Sequence, residues 1–128
     1  MNRRQILVVD DEEQILKMYS LALSRAGYTI TTAKSAEEAL EIIKDGKFGI
    51  FFLDINLPGM NGIELCQRIR KDSPMAILYA VTGYASLFDL SECREAGFED
   101  YFVKPVSLSV LSEAAINAFK KLDRWKSK

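Results

Sequence analysis

The chain has no histidine, two cysteines and three prolines in 128 residues, and its acidic and basic side chains nearly cancel, leaving a net charge of −1. Each scarcity closes off a class of function. Without histidine there is no serine-type triad, no imidazole general base and no histidine-ligated metal, so any chemistry must come from carboxylates, hydroxyls and lysines. Cys66 and Cys93 fall in helix-like stretches with no metal-ligand spacing and read as reduced packing residues. Charges of both signs are spread along the chain, so there is no basic footprint and direct nucleic-acid binding is not expected. The apolar runs are too short to span a bilayer, and residues 1–5 lead straight into a strand with no signal-peptide core. The cytoplasm is the expected compartment and no membrane partner is expected. The length suits a single domain over residues 1–128, with a core over about 5–122 and a tail over 123–128 that is polar apart from Trp125.

What is present is a set of short, dense apolar runs. Residues 6–9 (Ile-Leu-Val-Val) and the stretch from Phe48 to Asp54 read as strands buried on both faces, and each runs into carboxylates, Asp10-Asp11-Glu12-Glu13 and Asp54. Residues 76–81 form a fourth strand ending in Thr82-Gly83, and Tyr101-Phe102-Val103 a short fifth one meeting Lys104-Pro105. Residues 28–33 alternate apolar and polar, as a half-exposed edge strand does. Five helical patterns lie between and after these strands. The first places Ile15, Tyr19, Ala22, Leu23 and Ala26 inward and stops at Gly27; the second opens on a Ser35–Glu38 capping box and buries Ala39, Leu40 and Ile43. The third runs from about Gly62 to Lys71 with Leu65, Cys66 and Ile69 inward, the fourth carries Leu87, Leu90, Cys93 and Ala96, and the last Leu108, Leu111, Ala115, Ala118 and Leu122.

Strands alternating with helices predict a doubly wound, flavodoxin-like α/β fold, and the alternating second strand at an edge gives the order 2-1-3-4-5 for a five-stranded parallel sheet. In that order the winding reverses between strands one and three. Asp10, Asp11 and Asp54 then converge at the switch-point crevice, and Thr82 and Lys104 end strands four and five on the same rim. Pro58, Gly59, Asn61 and Gly62 turn the chain sharply after Asp54, which keeps it at the strand mouth. Three clustered carboxylates repel one another unless a cation joins them, and an all-oxygen set suits Mg²⁺. A carboxylate can also take a phosphoryl group as an acyl phosphate, with a lysine and a threonine holding its equatorial oxygens. Taken singly, the Asp pair reads as a helix cap, the threonine as a strand former and the lysine as a surface charge. Their joint placement at the ends of four strands is what a site requires.

Over essentially its whole length the chain resembles the receiver domain of two-component response regulators, through Val8-Val9-Asp10-Asp11-Glu12, the run from Leu53 to Gly62, Val81-Thr82-Gly83 and Tyr101-Phe102-Val103-Lys104-Pro105. The resemblance implies that Asp54 is the phosphate acceptor, with the Mg²⁺ ion held by Asp11, Asp54 and the Asn56 backbone carbonyl, and by Asp10 largely through water. It implies that Thr82 and Lys104 bind the phosphoryl oxygens, that Tyr101 is the aromatic switch residue, and that the Lys104-Pro105 bond is cis. A histidine kinase or histidine phosphotransfer protein would be the donor, and a partner or second copy would dock on the face of the fourth helix, fifth strand and fifth helix. Gly83 stands where the family often has alanine, and Tyr84 is bulky near the phosphate, which suggests slow hydrolysis. Two alternatives compete: a degenerate receiver serving only as an interaction module, and a haloacid-dehalogenase-type phosphohydrolase. The second would need an acid two residues after the nucleophile, where this chain has Asn56.

Overall fold

A computed structural model describes residues 4–83 and 87–126, with backbone alone at 87–89 and 126. Tyr84 and the expectation attached to it therefore lie outside the described residues. Five strands, β1 (Gln5–Val9), β2 (Thr29–Ala33), β3 (Ile50–Asp54), β4 (Ile77–Thr82) and β5 (Asp100–Val103), alternate with α1 (Glu13–Arg25), α2 (Ala36–Asp45), α3 (Gly62–Asp72), α4 (Leu87–Ala96) and α5 (Leu108–Lys126). The strand pairings are all parallel and the order is β2-β1-β3-β4-β5, as the sequence predicts. The physical reason lies in the strands: β1, β3 and β4 send apolar side chains to both faces and need helices on both sides, whereas half-buried β2 tolerates an edge.

Alternate residues of the central strands enter two separate cores. Ile6, Val8, Ile50, Phe52, Tyr79 and Val81 pack with Leu16, Tyr19 and Leu23 of α1 and with Leu111, Ala115 and Phe119 of α5. Leu7, Val9, Phe51, Leu53, Leu78 and Ala80 pack with Ala39 of α2, Leu65, Cys66 and Ile69 of α3, and Cys93 and Ala96 of α4. Burying one such Leu, Ile or Phe side chain contributes about 1.5–3 kcal/mol. This two-sided burial makes the sheet a rigid platform and fixes which way each strand-end residue points. Cys66 and Cys93 are buried and form no disulfide, and desolvation pushes the Cys66 thiol up to about 12, in keeping with a packing role.

Some helix details differ from the sequence reading. In α1 Tyr19 and Leu23 are buried as expected and Ile15 is half-buried against the same core, whereas Leu16 is buried without having been expected to be, Ala22 is only half-buried and Ala26 is exposed as the C-cap. The Ser35 hydroxyl accepts from the Glu38 N–H at 3.0 Å, but the Glu38 carboxylate turns to the Lys34 N–H rather than closing a reciprocal box. The reciprocal box is at α3, where Asn61 and Glu64 exchange bonds of 2.9 and 3.2 Å. Leu108 is exposed, and α5 continues through residues 123–126, the stretch read as a tail.

The turn after β3 is the tightest point in the fold. The Gly62 N–H donates to the Ile55 carbonyl at 2.9 Å, and a methyl group at Gly62 would fall 2.1 Å from the Asp54 carbonyl oxygen. Only glycine fits there, so the loop bearing Asp54 is held by a missing side chain. Gly83 is different, since a methyl group there would have nothing within 4 Å. Gly62→Ala is expected to cost about 1–3 kcal/mol of unfolding free energy through overpacking, while Gly83→Ala gains about 0.4–1 kcal/mol by restricting the unfolded chain. Urea denaturation of both variants measures this, and equal effects would contradict the packing account.

Candidate functional site

The strand ends meet as the topology requires. Asp10 directly follows β1, Asp54 ends β3 and Thr82 ends β4; these three are the buried polar residues of the chain among those described. Strand alternation then separates them. Asp10 follows Val8 by two positions, Asp54 follows Phe52 and Lys104 follows Phe102, so all three stand at the end of the sheet face covered by α1 and α5. Thr82 follows Ala80, and Tyr101 is in register with Ala80, so both belong to the face covered by α4. Tyr101 is 40% exposed.

One ammonium group ties the first set together. Lys104 Nζ lies 2.8 Å from Asp10 Oδ2, 3.3 Å from Glu12 Oε1 and 3.5 Å from Asp54 Oδ2. The remaining carboxylate oxygens are held by the backbone: Asp10 Oδ1 accepts from the Glu12 N–H at 2.8 Å and Asp54 Oδ1 from the Asn56 N–H at 3.1 Å. These are short Asx turns, the local reason the chain reverses after each aspartate. The Lys104 N–H donates to the Thr82 carbonyl at 2.7 Å, and the Lys104–Pro105 bond is cis. Asp11 is exposed at the mouth, beside an open concavity that it lines with Asn56, Pro58, Asn61 and Glu92. A larger cleft of about 990 Å³ opens at the opposite end of the sheet, against Gln5, Gly49 and Leu122, and contains none of these groups.

Burial raises the Asp54 carboxyl above the ordinary carboxylate value, and the neighbouring Asp10 charge raises it further; Lys104 and the Asn56 N–H oppose this without cancelling it. For Lys104, burial favours the neutral amine, but the hydrogen bond to Asp10 and the Asp54 charge outweigh it and hold the ammonium form more firmly than in water. Asp10, Asp11 and Glu12 offer carboxylate oxygens that all lie within 4.8 Å of one another. That is a hard-donor set of the kind Mg²⁺ takes. Sequence reasoning brought Asp10, Asp11, Asp54, Thr82 and Lys104 to this rim and did not assign Glu12. The signal available was a third acidic residue immediately after the Asp pair.

The chain matches the family model of the response regulator receiver domain over residues 6–116. It is 39% identical over 104 residues to the alkaline phosphatase synthesis transcriptional regulatory protein PhoP of Bacillus subtilis, covering 81% of this chain and 43% of that protein. Like that one, the curated relatives it matches are about twice its length, so the chain spans about half of each. Among solved structures, the CheY-like response regulator receiver domain protein of Methanospirillum hungatei superposes with a TM-score of 0.86 at 34% identity, over 94% of this chain and 99% of that one. The beryllofluoride-activated NtrC4 receiver domain dimer gives a TM-score of 0.87 at 30% identity, over 92% and 98%.

The raised Asp54 carboxyl carries a stability consequence. A carboxyl whose folded pKa is raised holds its proton to higher pH in the folded chain than in the unfolded one, so stability is lost as pH rises from the unfolded value of 3.8 through the folded value. Neutral pH bears the full cost. Asp54→Asn should therefore melt higher than wild type at pH 7 without metal, with the gain vanishing below pH 3.8. Thermal melts across that range decide it; a variant that melts lower at pH 7 contradicts the sign.

Proposed function

The chain belongs to the response regulator receiver domain family, and from that premise we propose that it accepts a phosphoryl group on Asp54 in a Mg²⁺-dependent step. The observation that carries the reading is the buried Asp54 carboxylate facing the Lys104 ammonium across 50 residues of chain, at the mouth of the switch-point crevice. An Asp54 oxygen attacks phosphorus of a phosphohistidine or a small acyl phosphate; the new O–P bond gives an aspartyl phosphate, and the old P–N or P–O bond breaks with its electron pair leaving on the donor. Asp11, Asp54 and the Asn56 carbonyl would hold the Mg²⁺ ion, with Asp10 acting through water. When bound, that ion neutralises charge on the phosphoryl oxygens. Lys104 supplies a fixed cation and Thr82 a hydroxyl for those oxygens.

The donor is a histidine kinase or histidine phosphotransfer protein, and the product is turned over only by slow autodephosphorylation. Neither alternative is favoured: every expected site group is present, and Asn56 stands where a hydrolase needs its acid. Readout uses α4, β5 and α5. Moving a population from 1:99 to 99:1 takes about 5.5 kcal/mol, and two hydrogen bonds to charged groups, from Thr82 and Lys104, supply roughly 1.5–3 kcal/mol each. Tyr101, Val103, Leu108 and Val110 leave that face with exposed apolar side chains that suit an output partner or homodimer, and the similar NtrC4 receiver domain is a dimer when beryllofluoride-activated. The cytoplasm is the proposed compartment, consistent with two cysteines that form no disulfide; no helix among the described residues is long and apolar enough to cross a membrane.

Incubation with radiolabelled acetyl phosphate should label wild type only when Mg²⁺ is present, and should not label Asp54→Asn. Labelling of that variant at the wild-type rate, or labelling undiminished in excess EDTA, sinks the reading. Thr82→Ala is expected to be labelled but to lose the response of the readout face. NMR shifts around Tyr101 on adding beryllofluoride and Mg²⁺ measure this, and shifts as large as wild type would remove Thr82 from the coupling.

A further inference from the structure

Tyr19 is 2% exposed, and its hydroxyl is the one buried side-chain oxygen or nitrogen without a hydrogen-bond partner among the described residues. The contrast with Tyr79 is direct. That phenol, buried in the same core, donates to the Ala114 carbonyl at 3.3 Å and helps seat α5. Phenylalanine would fill the Tyr19 position with the same ring and no orphaned group, so in the empty protein the hydroxyl is a pure cost.

Its position suggests what offsets that cost. Tyr19 projects from α1 onto the sheet face whose strand ends carry Asp10, Asp54 and Lys104. Side chains of a helix lean toward its N-terminus, which in α1 is the end adjoining Asp10 and Glu12. The ring oxygen accordingly feels the charges of Lys104, Asp10, Asp54 and Glu12 together. Asp10 is also buried, and it depends on Lys104: one carboxylate oxygen accepts from the Glu12 N–H, and the other faces the ammonium at 2.8 Å. A phosphoryl group on Asp54 draws that ammonium toward its own oxygens, leaving one Asp10 oxygen without its donor on the sheet face that Tyr19 covers.

We propose that Tyr19 is a positioning residue for the loaded site: its hydroxyl donates to the Asp10 carboxylate once Lys104 turns from Asp10 to the phosphoryl group. The inference rests on Asp54 being the phosphoacceptor. The exchange replaces one donor on Asp10 by another, so Asp10 stays oriented toward the cation while Lys104 moves. A hydroxyl that is orphaned in one state and paired in the other favours the paired state, which is how a group remote from the phosphate stabilises the phosphorylated form.

Tyr19→Phe separates this from a packing role, because the two states respond with opposite signs. The empty variant should melt at or above the wild-type temperature, and its affinity for Mg²⁺ alone should be unchanged. Its affinity for beryllofluoride with Mg²⁺ should fall about tenfold, the size of one lost hydrogen bond to a charged group. In wild type with ¹³Cζ-labelled tyrosine, the Tyr19 ring signal should shift on adding beryllofluoride. A variant that melts lower when empty, or that binds beryllofluoride as wild type does, overturns the proposal for Tyr19 and leaves Asp54 untouched. Wild type that binds no beryllofluoride overturns the phosphoacceptor reading itself.

Discussion

The arrangement depends on a single cation. Asp10 and Asp54 are buried at the ends of neighbouring strands, Asp11 and Glu12 stand just outside, and Lys104 is the ammonium that faces three of these four carboxylates. Two unpaired buried carboxylates would cost several kcal/mol each, so where the paired ends of β1 and β3 bring Asp10 and Asp54 together, the Lys104 ammonium delivered by β5 offsets their charge. The order of the sheet puts β4 between β3 and β5, and α4 carries the chain to β5, whose end brings Lys104 to the same rim. Even so, one positive charge against four negative ones leaves the rim strongly anionic. A network of this kind is poor evidence for stability, and its charge suits the proposed binding of a divalent cation.

The fold was legible because burial on both faces leaves an unmistakable trace in residues 6–9, 50–54 and 77–82, and half-burial leaves an equally plain one in β2. The candidate site was legible for a related reason: a polar residue closing a continuous apolar run has few places to be except the strand mouth. What escaped was set by geometry that no local pattern encodes. The burial of Leu16 in place of Ala22 and Ala26 follows from its joining Ile6, Val8 and Phe52 in one core, a tertiary packing that helical spacing alone does not single out. Glu12 gains its role from Lys104, 92 residues away. The missing partner of Tyr19 is an accounting fact about the folded interior, invisible in a sequence where Tyr19 reads only as a core aromatic.

The division of the sheet into two faces also bears on how the proposed phosphoryl group could be felt at a distance. Lys104 and Tyr101 sit three residues apart on β5 and its continuation, and strand alternation sends them to opposite faces. A pull on Lys104 alone would strain the face of α1 and α5 and leave Tyr101 where it is. Thr82 belongs to the Tyr101 face and is in register with Val103, while its carbonyl accepts the Lys104 N–H at 2.7 Å. The backbone at the ends of β4 and β5 is thus one hydrogen-bonded unit that carries, on each side, one of the two side chains proposed to bind the phosphoryl oxygens. A phosphoryl group on Asp54 would engage both side chains at once, so their pulls act on the same piece of backbone and the response need not travel through the packed core. The packed core resists small displacements; the end of β5, with Tyr101 and Val103 exposed and only β4 beside it in the sheet, is where the proposed readout would meet least resistance.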